Sequence, residues 1–101
     1  MQIFTNEKVE KFIRSLEKPA KAKIVRAVEL LAEFGVELSM PHSRKVTKEL
    51  FELRIRGQQE IRIFYFFRNN LAYLIHGFVK KSEKTPIKEI EIAKQRFRDL
   101  T

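Results

Sequence analysis

The chain has 101 residues, 44% of them hydrophobic, with 21 Lys and Arg against 13 Asp and Glu for a formal charge of +8. That length supports one domain over residues 1–101 and one core, the apolar content argues against disorder, and no apolar run reaches the length of a membrane span. The basic excess implies a polyanionic partner (nucleic acid, an acidic protein or an anionic membrane surface) unless it serves only solubility, while the lack of cysteine and of a hydrophobic leader in Met1–Lys18 fits a reducing cytoplasm.

Met1 to Phe4 reads as a short edge strand, followed by Thr5 as a helix N-cap. Val9, Phe12, Ile13 and Leu16 then repeat at the i, i+3, i+4, i+7 spacing of one buried helix face. Pro19 suits the first turn of a second helix. Its apolar stripe is Ile24, Ala27, Val28, Leu31 and Phe34, and Gly35 suits its C-terminal cap. The short connection predicts an antiparallel helical hairpin. Val36 to Lys45 reads as a loop.

Beyond it the hydrophobic period changes from 3.6 to 2. Phe51, Leu53 and Ile55 alternate with Glu52, Arg54 and Arg56, the pattern of a half-buried strand. Turns at Gly57-Gln58 and Arg68-Asn69-Asn70 separate two further strands, Glu60 to Phe67 and Leu71 to Val79, which makes an antiparallel meander. Thr85-Pro86 reads as an N-cap and a first-turn proline opening a last helix, with Ile87, Ile90, Ala93, Phe97 and Leu100 inward. The expected fold class is α+β: a mostly antiparallel sheet of about four strands with a mixed edge, an N-terminal helical hairpin and a C-terminal helix. The helices are expected to cover one sheet face and leave the other open.

The open face is where the chemistry is expected. From Val46 to Lys84 eight basic residues stand against four acidic ones. Alternation places Arg62 with Glu60, Phe64 and Phe66, and a tight hairpin brings it beside Arg54 on the exposed face. Lys80, Lys81 and Lys84 gather past the last strand. Cations beside aromatic rings suit RNA, the former on phosphates and the latter under bases, although charged residues on a sheet face are commonly just solvated and Phe64 and Phe66 could be ordinary core. His42 and His76 match no metal-ligand spacing, the carboxylates are scattered, and no nucleotide-binding glycine motif occurs, so neither metal nor cofactor is expected. Metal-free RNA cleavage needs cations to hold the charge of a phosphorane formed by 2′-hydroxyl attack, together with an acid for the leaving oxygen. Arginine suits the first role, and a lysine crowded by cations suits proton exchange. Glu52 reads as an orienting salt bridge to Arg54 rather than a base, and His76 as structural rather than an acid.

Leu50-Phe51-Glu52-Leu53-Arg54, then Ile61-Arg62-Ile63-Phe64-Tyr65, then His76-Gly77-Phe78-Val79-Lys80-Lys81-Ser82-Glu83-Lys84-Thr85-Pro86 resemble three ordered motifs of HigB-like, phage-derived toxins of the RelE/ParE superfamily. With the helical hairpin, the resemblance spans nearly the whole chain. It implies a RelE-like fold, cleavage of mRNA on the ribosome, and a cognate antitoxin partner. By position it implies catalytic roles for Arg54, Arg62 and Lys81, and RNA-binding roles for Arg56, Phe78, Lys80 and Lys84. The acid-base tyrosine that some RelE relatives carry after the last strand has no counterpart here; Ile87 falls near that place, and alternation turns Tyr65 away from Arg62. Two other readings stay open: a ParE-like inhibitor of DNA gyrase, and a non-catalytic RNA- or ribosome-binding module.

Overall fold

The computed structural model describes all 101 residues, Met1–Thr101. The elements run β1 (Gln2–Thr5), α1 (Glu7–Arg14), α2 (Lys18–Phe34), a 3-10 turn (Gly35–Glu37), β2 (Ser43–Lys45), β3 (Phe51–Ile55), β4 (Glu60–Arg68), β5 (Leu71–Lys80) and α3 (Ile87–Leu100). They build one five-stranded sheet in the order β1-β5-β4-β3-β2. Only β1 runs parallel to its neighbour, β5; the other pairings are antiparallel. The meander and the mixed edge are as expected. The fifth strand is not: β2 lies within the stretch read as a loop, and three residues are too few to display a period.

Local chemistry accounts for most boundaries. Asn6, not Thr5, caps α1, its side chain accepting from the Lys8 amide at 2.8 Å. Thr5 is instead the last residue of β1. Asn69 and Asn70 turn β4 into β5 with φ of 51° and 61°, the left-handed pair that a two-residue hairpin needs and that asparagine tolerates. Gly35 ends α2 at φ 54°, where a side chain would be strained.

The sheet is covered on both faces, which corrects the expectation of one open face. On the first face α1 and α2 bury Val9, Ile24, Ala27 and Leu31 against Leu53, Ile55, Ile61, Ile63, Tyr65, Ala72 and Leu74. Tyr65 satisfies its hydroxyl there by hydrogen bonding to Ser43. On the second face α3 packs Ala93, flanked by Ile90 and Phe97, on Leu50, Phe64, Phe66, Ile75 and Phe78. The reason is hydrophobic: three phenylalanines on one face form a large apolar patch if left bare. Phe34, Ile87 and Leu100, expected inward, are 47%, 75% and 39% exposed, as helix-end residues that overhang the sheet.

One irregularity decides which side chains reach the second face. Phe64 pairs with His76 but Tyr65 pairs with Leu74, leaving Ile75 as an unpaired bulge residue in β5. Ile75 and His76 therefore both face α3, and alternation after the bulge is inverted. Gly77 consequently turns toward α1, where a Cβ would lie 2.6 Å from the ring of Phe12. Phe78 and Lys80 turn to the second face, opposite Arg62 and Glu60.

Candidate functional site

α3 shields only part of the second face. Beyond Ile90 the ends of β3, β4 and β5, the edge strand β2 and the loop from Glu83 to Thr85 enclose a cleft of about 380 Å³. Five cations line it: Arg44, Arg54, Arg62, Lys80 and Lys84. A larger depression of about 650 Å³ lies between the α1–α2 turn and the β3–β4 turn, but Lys23 and Glu17 are its only charged groups, and they offer no convergence of like charge.

Register builds the cleft. Arg54 and Arg62 are direct cross-strand partners, an arrangement that costs energy unless carboxylates intervene. They do. Glu52 lies 3.6 Å from Arg62 Nε and 3.6 Å from Arg44, and Glu60 lies 3.1 Å from Arg62 Nη2. The other oxygen of Glu52 accepts from the Thr85 hydroxyl at 2.7 Å. Thr85, read as a helix cap, therefore pins the loop to the cleft floor, while Pro86 occupies the N-cap position of α3.

Arg62 and Glu52 are each only 1% exposed. The expectation that Arg62 lies on an exposed surface, with Glu52 serving Arg54, is thereby corrected: Glu52 serves Arg62 and Arg44. Arg62 Nε is buried without a hydrogen bond, and so is Arg54 Nε. Unsatisfied buried donors are rare, and they mark a site that has not used all of its hydrogen-bonding capacity. Arg54 is the more accessible of the two. Its Nη1 donates only to the sulfur of Met40. Burial, then the charges of Arg62 and Arg56, hold its pKa below the usual arginine value, so a bound anion would relieve crowding among cations.

The bulge settles which lysine reaches the cleft. Strict alternation from Tyr73 and Ile75 would deliver Lys81; with the bulge, Lys80 takes that place and its ammonium donates to the Glu83 carbonyl at 2.6 Å. Lys81 is exposed beyond β5 and does not line the cleft, contrary to the catalytic place expected for it. Lys84 does line it, on the loop. Phe78, expected to meet RNA, is 6% exposed and stacks between Phe64 and His76; with Phe64 and Phe66 also buried, no ring is free to stack on a base there. Arg56 is exposed, pairs with Glu60 at 3.7 Å and lies outside the cleft. Arg44 was not anticipated because its strand was not, and nothing in the spacing of a three-residue strand points to it.

His76 is held apart from the cleft. Its ring stacks on Phe64 and Phe78, Nε2 meets Glu89 at 2.7 Å, and Arg96 donates to Nδ1 at 3.0 Å and to the Ile75 carbonyl at 2.9 Å. Acceptance from Arg96 fixes Nδ1 as unprotonated, so Nε2–H donates to Glu89. This locks α3 to β5 rather than supplying a proton. No group of three or more His, Cys, Asp or Glu side chains is placed to hold a metal ion, and no helix is long and apolar enough to cross a membrane.

Comparison with known proteins agrees with this architecture. The profile of the family described as phage-derived protein Gp49-like (DUF891) matches residues 11–98. In three dimensions the chain is similar to a mutant of the E. coli toxin RelE in the free state, with a TM-score of 0.66 and 13% identity over 99% of this chain and 97% of that one. No curated protein matches the sequence. Its fold is thus RelE-like, and the chain belongs to the Gp49-like phage-derived family.

Proposed function

We propose that the protein is the HigB-like toxin of a type II toxin-antitoxin system, an endoribonuclease that cleaves mRNA on the ribosome in the cytoplasm without a metal ion, and that a cognate antitoxin restrains it. The observation that carries this reading is the convergence of Arg44, Arg54, Arg62, Lys80 and Lys84 on one cleft whose innermost carboxylate, Glu52, is already engaged. A phosphodiester is the anion such a cleft suits, because planar guanidiniums bind its oxygens in pairs and remain charged throughout.

Arg54 faces the phosphate and stabilises the charge that develops when the ribose 2′-oxygen attacks. Arg62, held by Glu52 and Glu60, sets the field and position of Arg54 from beneath. Water accepts the proton that the 2′-hydroxyl gives up, and Lys84, on the loop above, protonates the 5′-oxygen as its bond to phosphorus breaks. The products of such attack are a 2′,3′-cyclic phosphate and a 5′-hydroxyl. Analysis of product ends from purified protein and translating ribosomes tests this. The expected result is those two ends, formed by the wild type and reduced at least 100-fold in Arg54→Ala, the scale of one lost transition-state donor. A 5′-phosphate product would contradict the mechanism. Growth arrest with intact RNA would favour a gyrase target, and RNA binding without cleavage a non-catalytic module.

A further inference from the structure

Arg54 walls two depressions, not one. Just past the end of β2, where its amide donates to the His42 carbonyl at 2.8 Å, the sheet has no further strand to cover its edge. On the other side of that edge a groove of about 290 Å³ runs between α2 and β3. Lys23, Arg26, His42, Arg54 and Arg56 line it, and no acidic residue does. In this it differs from the cleft, whose cations are partly neutralised by Glu52 and Glu83.

The groove cations are available. Lys23 reaches from α2 to the β3–β4 turn, its Nζ lying 2.4 Å from where a Cβ on Gly57 would stand; glycine there leaves room for the ammonium. Arg26 and Arg56 contact Glu29 and Glu60 at 3.8 and 3.7 Å, through side chains more than 60% exposed on the arginine side. Such solvated pairs are weak and readily exchanged for a phosphate. Arg54, whose Nε is buried and unpartnered, is the residue common to the walls of both depressions.

From this we infer a second phosphate-binding subsite: the RNA strand held in the cleft continues over the sheet edge at Arg54 and lays its neighbouring phosphates along Lys23, Arg26 and Arg56. The ligand is the sugar-phosphate backbone of single-stranded RNA, read by charge, since the groove is lined by cations and offers no Phe, Tyr or Trp ring. The subsite deepens the RNA-cleaving reading above and rests on it.

The test is binding of 2′-O-methyl oligonucleotides, which cannot be cleaved, as a function of length and salt. The variant is Lys23→Ala/Arg26→Ala, two exposed positions on α2 where alanine favours the helix. With an eight-nucleotide probe, the log-log salt slope should fall by about 1.4, two contacts at about 0.7 each for a single strand, with affinity at least fivefold weaker. A trinucleotide, long enough only for the cleft, should bind variant and wild type alike. Equal slopes for the octamer would overturn the subsite while leaving the cleft reading intact. An equal loss for trinucleotide and octamer would overturn it too, by showing that both residues act through the cleft. If the wild type binds neither probe, and Arg54→Ala changes nothing, the RNA-cleaving reading and the subsite fall together.

Discussion

Arg54 and Arg62 face each other across β3 and β4, yet their surroundings give them different work. Arg62 is sealed with Glu52, so Arg62→Ala would take from a buried carboxylate its one buried cation and leave it only Thr85 and the exposed Arg44. Breaking a buried pair from one side costs about 3–5 kcal/mol, which in a chain this short lowers Tm on the order of 15 °C or more. Thermal unfolding checks this. Replacing both partners, as Glu52→Leu with Arg62→Met, should recover most of that loss, since removing a buried pair entirely is often neutral, without restoring toxicity. Arg54→Ala, at a half-exposed position, should keep the wild-type Tm within a few degrees and still abolish growth arrest. His76 carries the pH dependence. Burial first, then Arg96, hold its pKa below the ordinary 6.5, with Glu89 opposing. The unfolded chain therefore binds the proton more readily, so this group's contribution is full above about pH 6.5 and is lost as pH falls through the lower folded value. His76→Gln should flatten stability between about pH 6.5 and 5, as followed by denaturant midpoints at each pH.

At the scale of elements, the bulge in β5 is the decisive feature. It places His76 under α3, Lys80 in the cleft and Gly77 against Phe12. Gly77→Ala should cost about 1–3 kcal/mol by overpacking a rigid ring, and Phe12→Ala should relieve part of that penalty in a double-mutant cycle. The helices, the three long strands and the parallel edge strand were legible in the sequence, because each carries a period or punctuation long enough to read. Alternation also paired Arg54 with Arg62 and turned Tyr65 away from them. The bulge was not legible, since a one-residue slip leaves composition and spacing untouched. Lys81 and Phe78 were expected at the site from the resemblance alone; the bulge brings Lys80 to the cleft, and α3 and His76 enclose Phe78. The roles of Arg44 and Thr85 were not legible either: both come from contacts with Glu52, 8 and 33 residues away in the chain, which no local pattern encodes.

At the scale of the whole molecule, one sheet edge carries a cleft on one side and, on the other, a groove whose charged side chains are all basic, with Arg54 between them. α3 completes the second core and forms the cleft's inner wall through Ile90, so the device that stabilises the sheet also delimits the site. Cleavage of messenger RNA at this edge is checked by a map of new 5′ ends across cellular mRNA after induced expression without an antitoxin. Codon-phased cuts within translated genes are expected for the wild type, and none for Arg54→Ala expressed to the same level. Growth arrest with an unchanged map, or an Arg54→Ala protein that cuts as the wild type does, would contradict it.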